Sequence, residues 1–168
     1  MSHNQILDIN ILKKVKFDKL EDLNLGYNKI TDINILEKVN FKELKNLFLH
    51  NNNISDIKIL EKVKFDKLEL LNLGYNQITD INVLEKVNFR ELKNLHLNNN
   101  NISDIKILEK VKFEKLEDLD ISYNPFSKYI NENKLILSNL KFKIPNFNEE
   151  NLYMYDDDEE DIGLGGLF

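Results

Sequence analysis

Residues 30–53 read ITDINILEKVNFKELKNLFLHNNN and residues 78–101 read ITDINVLEKVNFRELKNLHLNNNN, identical at 20 of 24 positions. More divergent copies stand before, between and after them, so one 24-residue pattern is written five times. A period of about 20–29 residues carrying Leu-x-x-Leu-x-Leu-x-x-Asn-x-Ile belongs to units too small to bury a core alone, which do so by stacking on their neighbours. The expected fold is an α/β solenoid, with short parallel strands on the concave face and short helices on the convex face.

Within a unit the residue types divide the work. Leu23 and Leu25, with their equivalents, alternate with Asp22 and Asn24 as the two faces of a strand do. An Asn follows where the chain must turn away: Asn28, Asn52, Asn76, Asn100 and Asn124. A side-chain amide both donates and accepts, so it can satisfy buried backbone groups at such a turn. Next comes Ser/Thr-Asp ahead of apolar residues three apart, as at Leu60 and Val63, which reads as a helix N-cap and a short helix. Phe17, Phe41, Phe65, Phe89 and Phe113 recur at the same period and predict an aromatic spine beneath those helices.

This pattern resembles the leucine-rich repeat family over roughly residues 5–126. The NxIxDIxxL run is similar to the internalin and phosphatase-1 regulatory subunit type, with a unit two residues longer on the convex side. The resemblance implies a non-enzymatic module that binds a protein or peptide partner through its concave face. By analogy alone it also raises phosphatase regulation as an alternative. Units alternate in kind, EDLNLGYN or near it in odd copies and KNLFLHNN or KNLHLNNN in even ones, as duplication of a 48-residue block would leave them.

The ends break the pattern. QILDINILKKVKF is the convex half of a unit without its strand, so the first complete strand, near Asp22 to Leu25, is expected at a sheet edge. Asn124-Pro125-Phe126 closes the last unit, with Asn124 and Phe126 claimed by the Asn series and the last apolar position. LSNLKFKI alternates Leu140, Phe142 and Ile144 with polar residues, which predicts a half-buried strand. The resulting division is residues 1–126 as repeats, 127–145 as a C-terminal cap, and 146–168 as an acidic tail expected to be flexible.

Charge separates these parts. The net charge of −6 is the sum of −8 from residues 149–168 and +2 from the remainder, so the repeats are nearly neutral and show no strongly basic nucleic-acid face. The chain has no cysteine, no signal-peptide pattern at MSHNQILDIN and no apolar run of membrane-spanning length, which together predict a soluble cytoplasmic protein without a membrane partner. Nothing supports catalysis or a cofactor. The histidines are His3, His50 and His96, no nucleophile has a base at recognisable spacing, and no Walker or zinc pattern occurs. The Gly-rich end lacks the strand and helix of a phosphate loop, and the acidic run lacks the spacing of a calcium loop.

Partner binding therefore rests on the outward positions of the strands. One predicted column runs Asp22, Asn46, Leu70, Asn94, Asp118; the next runs Asn24, Phe48, Asn72, His96, Asp120; a third runs Gly26, His50, Gly74, Asn98, Ser122, with Tyr27, Tyr75 and Tyr123 just past it. The expected binding residues are Asn46, Phe48, His50, Leu70, Asn72, Tyr75, Asn94, His96, Asp118 and Asp120, centred on Phe48 and Leu70 as exposed diagonal neighbours. Two of the four differences between the even copies, Phe48/His96 and His50/Asn98, fall on this face. A second candidate is the C-terminus, DDDEEDIGLGGLF, which resembles the end of the acidic ribosomal stalk proteins. That resemblance implies a translation-associated role, binding a translational GTPase or the ribosome. Leu164, Leu167 and Phe168 would be the apolar anchors, and Asp156, Asp157, Asp158, Glu159, Glu160 and Asp161 the electrostatic guide.

Overall fold

In a computed structural model, which describes residues 4–147 and 152, the five copies form five stacked coils. Each contributes one three-residue strand: β1 (Asp22–Asn24), β2 (Asn46–Phe48), β3 (Leu70–Asn72), β4 (Asn94–His96) and β5 (Asp118–Asp120). The strands pair in parallel in sequence order, and every partner stands one period away, as Leu23 with Leu47 and Leu71 with Leu95. Parallel strands need a long crossover, and the remainder of each unit supplies it. Backbone bonding continues beyond the strands, with Leu25 N–H on the Phe48 carbonyl at 2.8 Å and Tyr75 N–H on the Asn98 carbonyl at 2.8 Å.

The Asn ladder forms as expected. Asn76 Nδ2 donates to the carbonyls of Leu49 and Leu73, both at 3.0 Å, and its Oδ1 accepts from Ile54 N–H at 3.0 Å. Asn52, Asn100 and Asn124 repeat this set, so each amide closes its own turn and ties it to the preceding unit. Phe126 and Asn124 are both fully buried, so the Asn-Pro-Phe tripeptide is part of the structure.

The convex segments are 3-10 turns rather than α-helices: Asn10–Lys14, Asn34–Lys38, Lys58–Glu61, Asn82–Glu85 and Lys106–Glu109. A 3-10 turn rises about 2.0 Å per residue and so bridges the arc with few residues. Asp does the capping, one position earlier than an N-cap. Asp56 Oδ1 accepts from Lys58 N–H at 2.8 Å and Asp80 Oδ1 from Asn82 N–H at 2.8 Å, whereas the residue flanking each turn is an Ile with no side-chain cap bond. Beneath the turns Phe41, Phe65 and Phe89 are buried, and the spine opens at its ends, Phe113 being half-buried and Phe17 46% exposed.

A charge pattern explains the alternation of units. Just before the strands, one column runs Glu21, Lys45, Glu69, Lys93, Glu117, and a second, two residues earlier, runs Lys19, Glu43, Lys67, Glu91, Lys115. Opposite charges therefore meet at each step along the axis. Lys45 pairs with Glu21 at 2.8 Å, Lys67 with Glu43 at 2.6 Å, Lys93 with Glu69 at 2.7 Å and Lys115 with Glu91 at 2.5 Å. The pairs switch column at every unit, so neighbouring units must differ in kind.

The C-terminal cap corrects two expectations. Residues expected to form a half-buried strand instead belong to helix α1 (Ile130–Lys143), which packs against the Lys106–Glu109 turn. Asn133, Ile136, Leu137 and Leu140 make its buried face at helical spacing, and Phe142, assigned to the strand's apolar side, is 93% exposed. Asn133 Nδ2 holds the first turn through the Tyr129 carbonyl at 3.0 Å, and Pro145 follows the end, where a helix rarely continues. The ordered cap also reaches past residue 145. Asn146 N–H bonds the Glu117 carbonyl at 2.8 Å, and Phe147 and Leu152 are buried, so the tail does not begin at Asn146.

Candidate protein-binding face

The three predicted columns are present, in the predicted register. Asn46 lies between Asp22 and Leu70, Phe48 between Asn24 and Asn72, and His96 between Asn72 and Asp120. Phe48 and Leu70 are therefore diagonal neighbours. Both are half-buried rather than exposed, in keeping with the spacing of about 4.8 Å between paired strands, which crowds side chains of adjacent units.

Odd and even units use the middle column differently. Asn24, Asn72 and Asp120 each turn Oδ1 back onto the backbone N–H two residues on, at 3.0 Å, capping Gly26, Gly74 and Ser122. Ser122 Oγ also donates to Asp120 Oδ1 at 2.6 Å. In even units the position holds Phe48 and His96, whose rings have no such local role. Phe48 stands edge-on to His50 with centroids 6.2 Å apart, and His96 Nε2 lies 3.1 Å from Asp118 Oδ2. Asn46 Nδ2 donates to Asp22 Oδ1 at 2.6 Å.

The third column alternates small against large. A Cβ on Gly26 would come 2.5 Å from the His50 ring, and one on Gly74 would collide with the Asn98 side-chain oxygen. Neither glycine has a left-handed φ; what each permits is the close approach of a side chain from the next unit, and Ser122 stands at the same position in the last odd unit. The left-handed position is the next residue, with φ 56° at Tyr27, 55° at Tyr75 and 53° at Tyr123. Even units place Asn51 and Asn99 there, a residue that tolerates this conformation, whereas a bulky tyrosine does not adopt it freely. The three tyrosines are exposed along one rim, and Tyr27 also meets His50 edge-on at 5.1 Å. Their backbone strain had no sequence signal beyond the Tyr/Asn alternation.

The expected residues from Asn46 to Asp120 thus share one face. The stalk-like motif, Asp156 to Asp161 with Leu164, Leu167 and Phe168, lies outside the described residues. Among the described residues no group of three His, Cys, Asp or Glu side chains is placed to hold a metal ion.

Residues 42–86 match the family model for leucine rich repeats in two copies. The fold is a leucine-rich-repeat solenoid. Among solved structures, an internalin (InlF) from Listeria monocytogenes is 27% identical with a TM-score of 0.53, covering 73% of this chain and 40% of its own. Internalin C2 from the same organism is 26% identical with a TM-score of 0.58, covering 74% of this chain and 61% of its own. The Leptospira interrogans leucine-rich-repeat protein LIC12759 shares the fold at 24% identity and a TM-score of 0.59, covering 79% of this chain and 33% of its own. The chain spans less than two thirds of each of these neighbours. A comparison with curated proteins finds no match.

Proposed function

We propose that the solenoid is a protein-binding module whose concave face receives the partner, with Phe48 and Leu70 at the centre of contact. The observation that carries this reading is their placement. They are diagonal apolar neighbours on the outward side of β2 and β3, while the odd-unit residues of the middle column are occupied with their own backbone. Half-buried aromatic and aliphatic side chains bordered by polar groups suit a contact that excludes water at its centre. The resemblance to internalin repeats agrees with a binding role and names no partner for this chain.

The test uses a peptide selected from a displayed random library on the immobilised full chain. Phe48→Ala with Leu70→Ala should abolish its binding while the melting transition stays cooperative. Retained binding in that double variant overturns the reading.

A further inference from the structure

We propose that the segment received on the concave face is an extended, cationic stretch of a partner protein, carrying an apolar side chain and a Lys or Arg about three to four residues apart. This rests on the concave-face reading above and adds the partner's chemistry and register.

The first support is where charge has been left out. The chain has 23 Lys and Arg, and outside residues 149–168 it carries a net +2. Yet the three outward columns from Asp22 to Ser122 hold no Lys or Arg and three carboxylates, Asp22, Asp118 and Asp120. The nearest cations, Lys45 and Lys93, are committed to Glu21 and Glu69. A mildly basic body therefore presents a sheet face on which every formal charge is negative. The acidic residues 149–168 are poorly matched to it, and a cationic segment is well matched.

The second support is how the carboxylates sit. Among the described residues Asp118 turns Oδ2 to His96, and Asp120 turns Oδ1 to Ser122, which leaves the second oxygen of each for an incoming donor. The third is the rim. Tyr27, Tyr75 and Tyr123 project on alternate units, about 10 Å apart by strand spacing, and an exposed aromatic face attracts ammonium and guanidinium groups. Tyrosine is held there against the backbone preference that Asn51 and Asn99 satisfy.

Distance sets the register. Leu70 on β3 and Asp118 on β5 are two strands apart, about 10 Å, and Phe48 on β2 adds one more. An extended chain advances about 3.3 Å per residue, so one anchored over Leu70 reaches the carboxylates three to four residues later.

The experiment selects decapeptides from a displayed random library on the full chain. Binding of a selected synthetic peptide, and of its counterpart with every Lys and Arg replaced by Glu, is then measured by fluorescence anisotropy. Expected are peptides rich in Lys or Arg at the stated spacing from an aliphatic or aromatic residue, with no binding by the Glu counterpart. Asp118→Asn with Asp120→Asn should weaken binding about tenfold, while Asn replacements at Asp156, Asp157, Asp158 and Asp161 change it less than about twofold. Neutral or acidic selected peptides that Phe48→Ala with Leu70→Ala still abolishes would overturn the cationic proposal and leave the docking face standing. Affinity that follows the residue 156–161 carboxylates instead of Asp118 and Asp120 would overturn it as well. Binding indifferent to all concave variants would remove both readings.

Discussion

Lys93 closes a 2.7 Å ion pair on Glu69, the residue 24 positions before it, while in the neighbouring column Lys67 closes one on Glu43. Because the pairs change column at each step, neighbours of unlike kind attract and neighbours of like kind repel. Excising residues 54–77 would set Lys45 against Lys93, Glu43 against Glu91 and His50 against Asn98. Excising residues 54–101 restores opposite charges, Lys45 facing Glu117 and Glu43 facing Lys115. At equal length, the product lacking one unit should melt at a higher temperature once Glu91→Lys, Lys93→Glu, Lys115→Glu and Glu117→Lys put opposite charges at every step, and added salt should narrow the difference. Equal melting of the two at low salt would contradict the pattern's role.

The same pairs predict a pH window. The hydrogen bond from Lys67 holds the Glu43 carboxyl below its ordinary value, and that from Lys93 does so for Glu69. Such groups contribute stability above the unfolded value of 4.5 and lose it as pH falls through the folded one. Lys45 and Lys93 are raised by their bonds to Glu21 and Glu69, so their contribution is complete below 10.5 and is lost as pH rises through the folded value. The urea midpoint should stay level between these limits and fall outside them. Glu43→Gln with Glu69→Gln should flatten part of the acid limb, and an unchanged limb would argue against the assignment.

Asn76 bonds four backbone groups across two units, so Asn76→Ala strands a buried donor and buried acceptors at once. A loss of about 3 kcal/mol is expected from urea unfolding. Asn76→Asp should be no better at neutral pH, because a carboxylate cannot donate to the Leu49 and Leu73 carbonyls.

Tyr75 at φ 55° is expected to separate stability from binding. Tyr75→Asn should raise stability by about 1 kcal/mol by easing the left-handed backbone, and should weaken capture of cationic peptides. A variant that is both less stable and equally competent would mean the tyrosine is held for packing alone.

The cap gives a direct contrast. Leu137 is fully buried in α1 and Leu137→Ala should cost about 2–5 kcal/mol. Phe142→Ser, at a position 93% exposed, should change stability by less than about 0.5 kcal/mol. A strand with Leu140 and Phe142 on one buried face would make the second substitution damaging.

Most of the solenoid was readable because its determinants are periodic. Leu23, Leu25 and Asn28 recur with their spacing intact, and five copies remove ambiguity about which face each occupies. The cap occurs once, so its short alternating run at Leu140 to Ile144 outweighed the longer helical spacing from Asn133 to Leu140, and nothing repeated to arbitrate. The columns of the candidate face were legible for the same reason as the core. What escaped was relational: Gly26 has meaning only beside His50, and Glu69 only beside Lys93. Those partners are adjacent in space through the stacking, 24 residues apart in the chain.

The alternation of units also shapes how such an array can change length. Residues 30–53 and 78–101, identical at 20 of 24 positions, are both of the even kind. A change in length by 48 residues joins like to like. That step keeps every Lys facing a Glu and every small residue facing a large one. The chain can therefore be lengthened or shortened in that step without creating a misfit seam, and each such product arrives with a concave face of new extent already in phase.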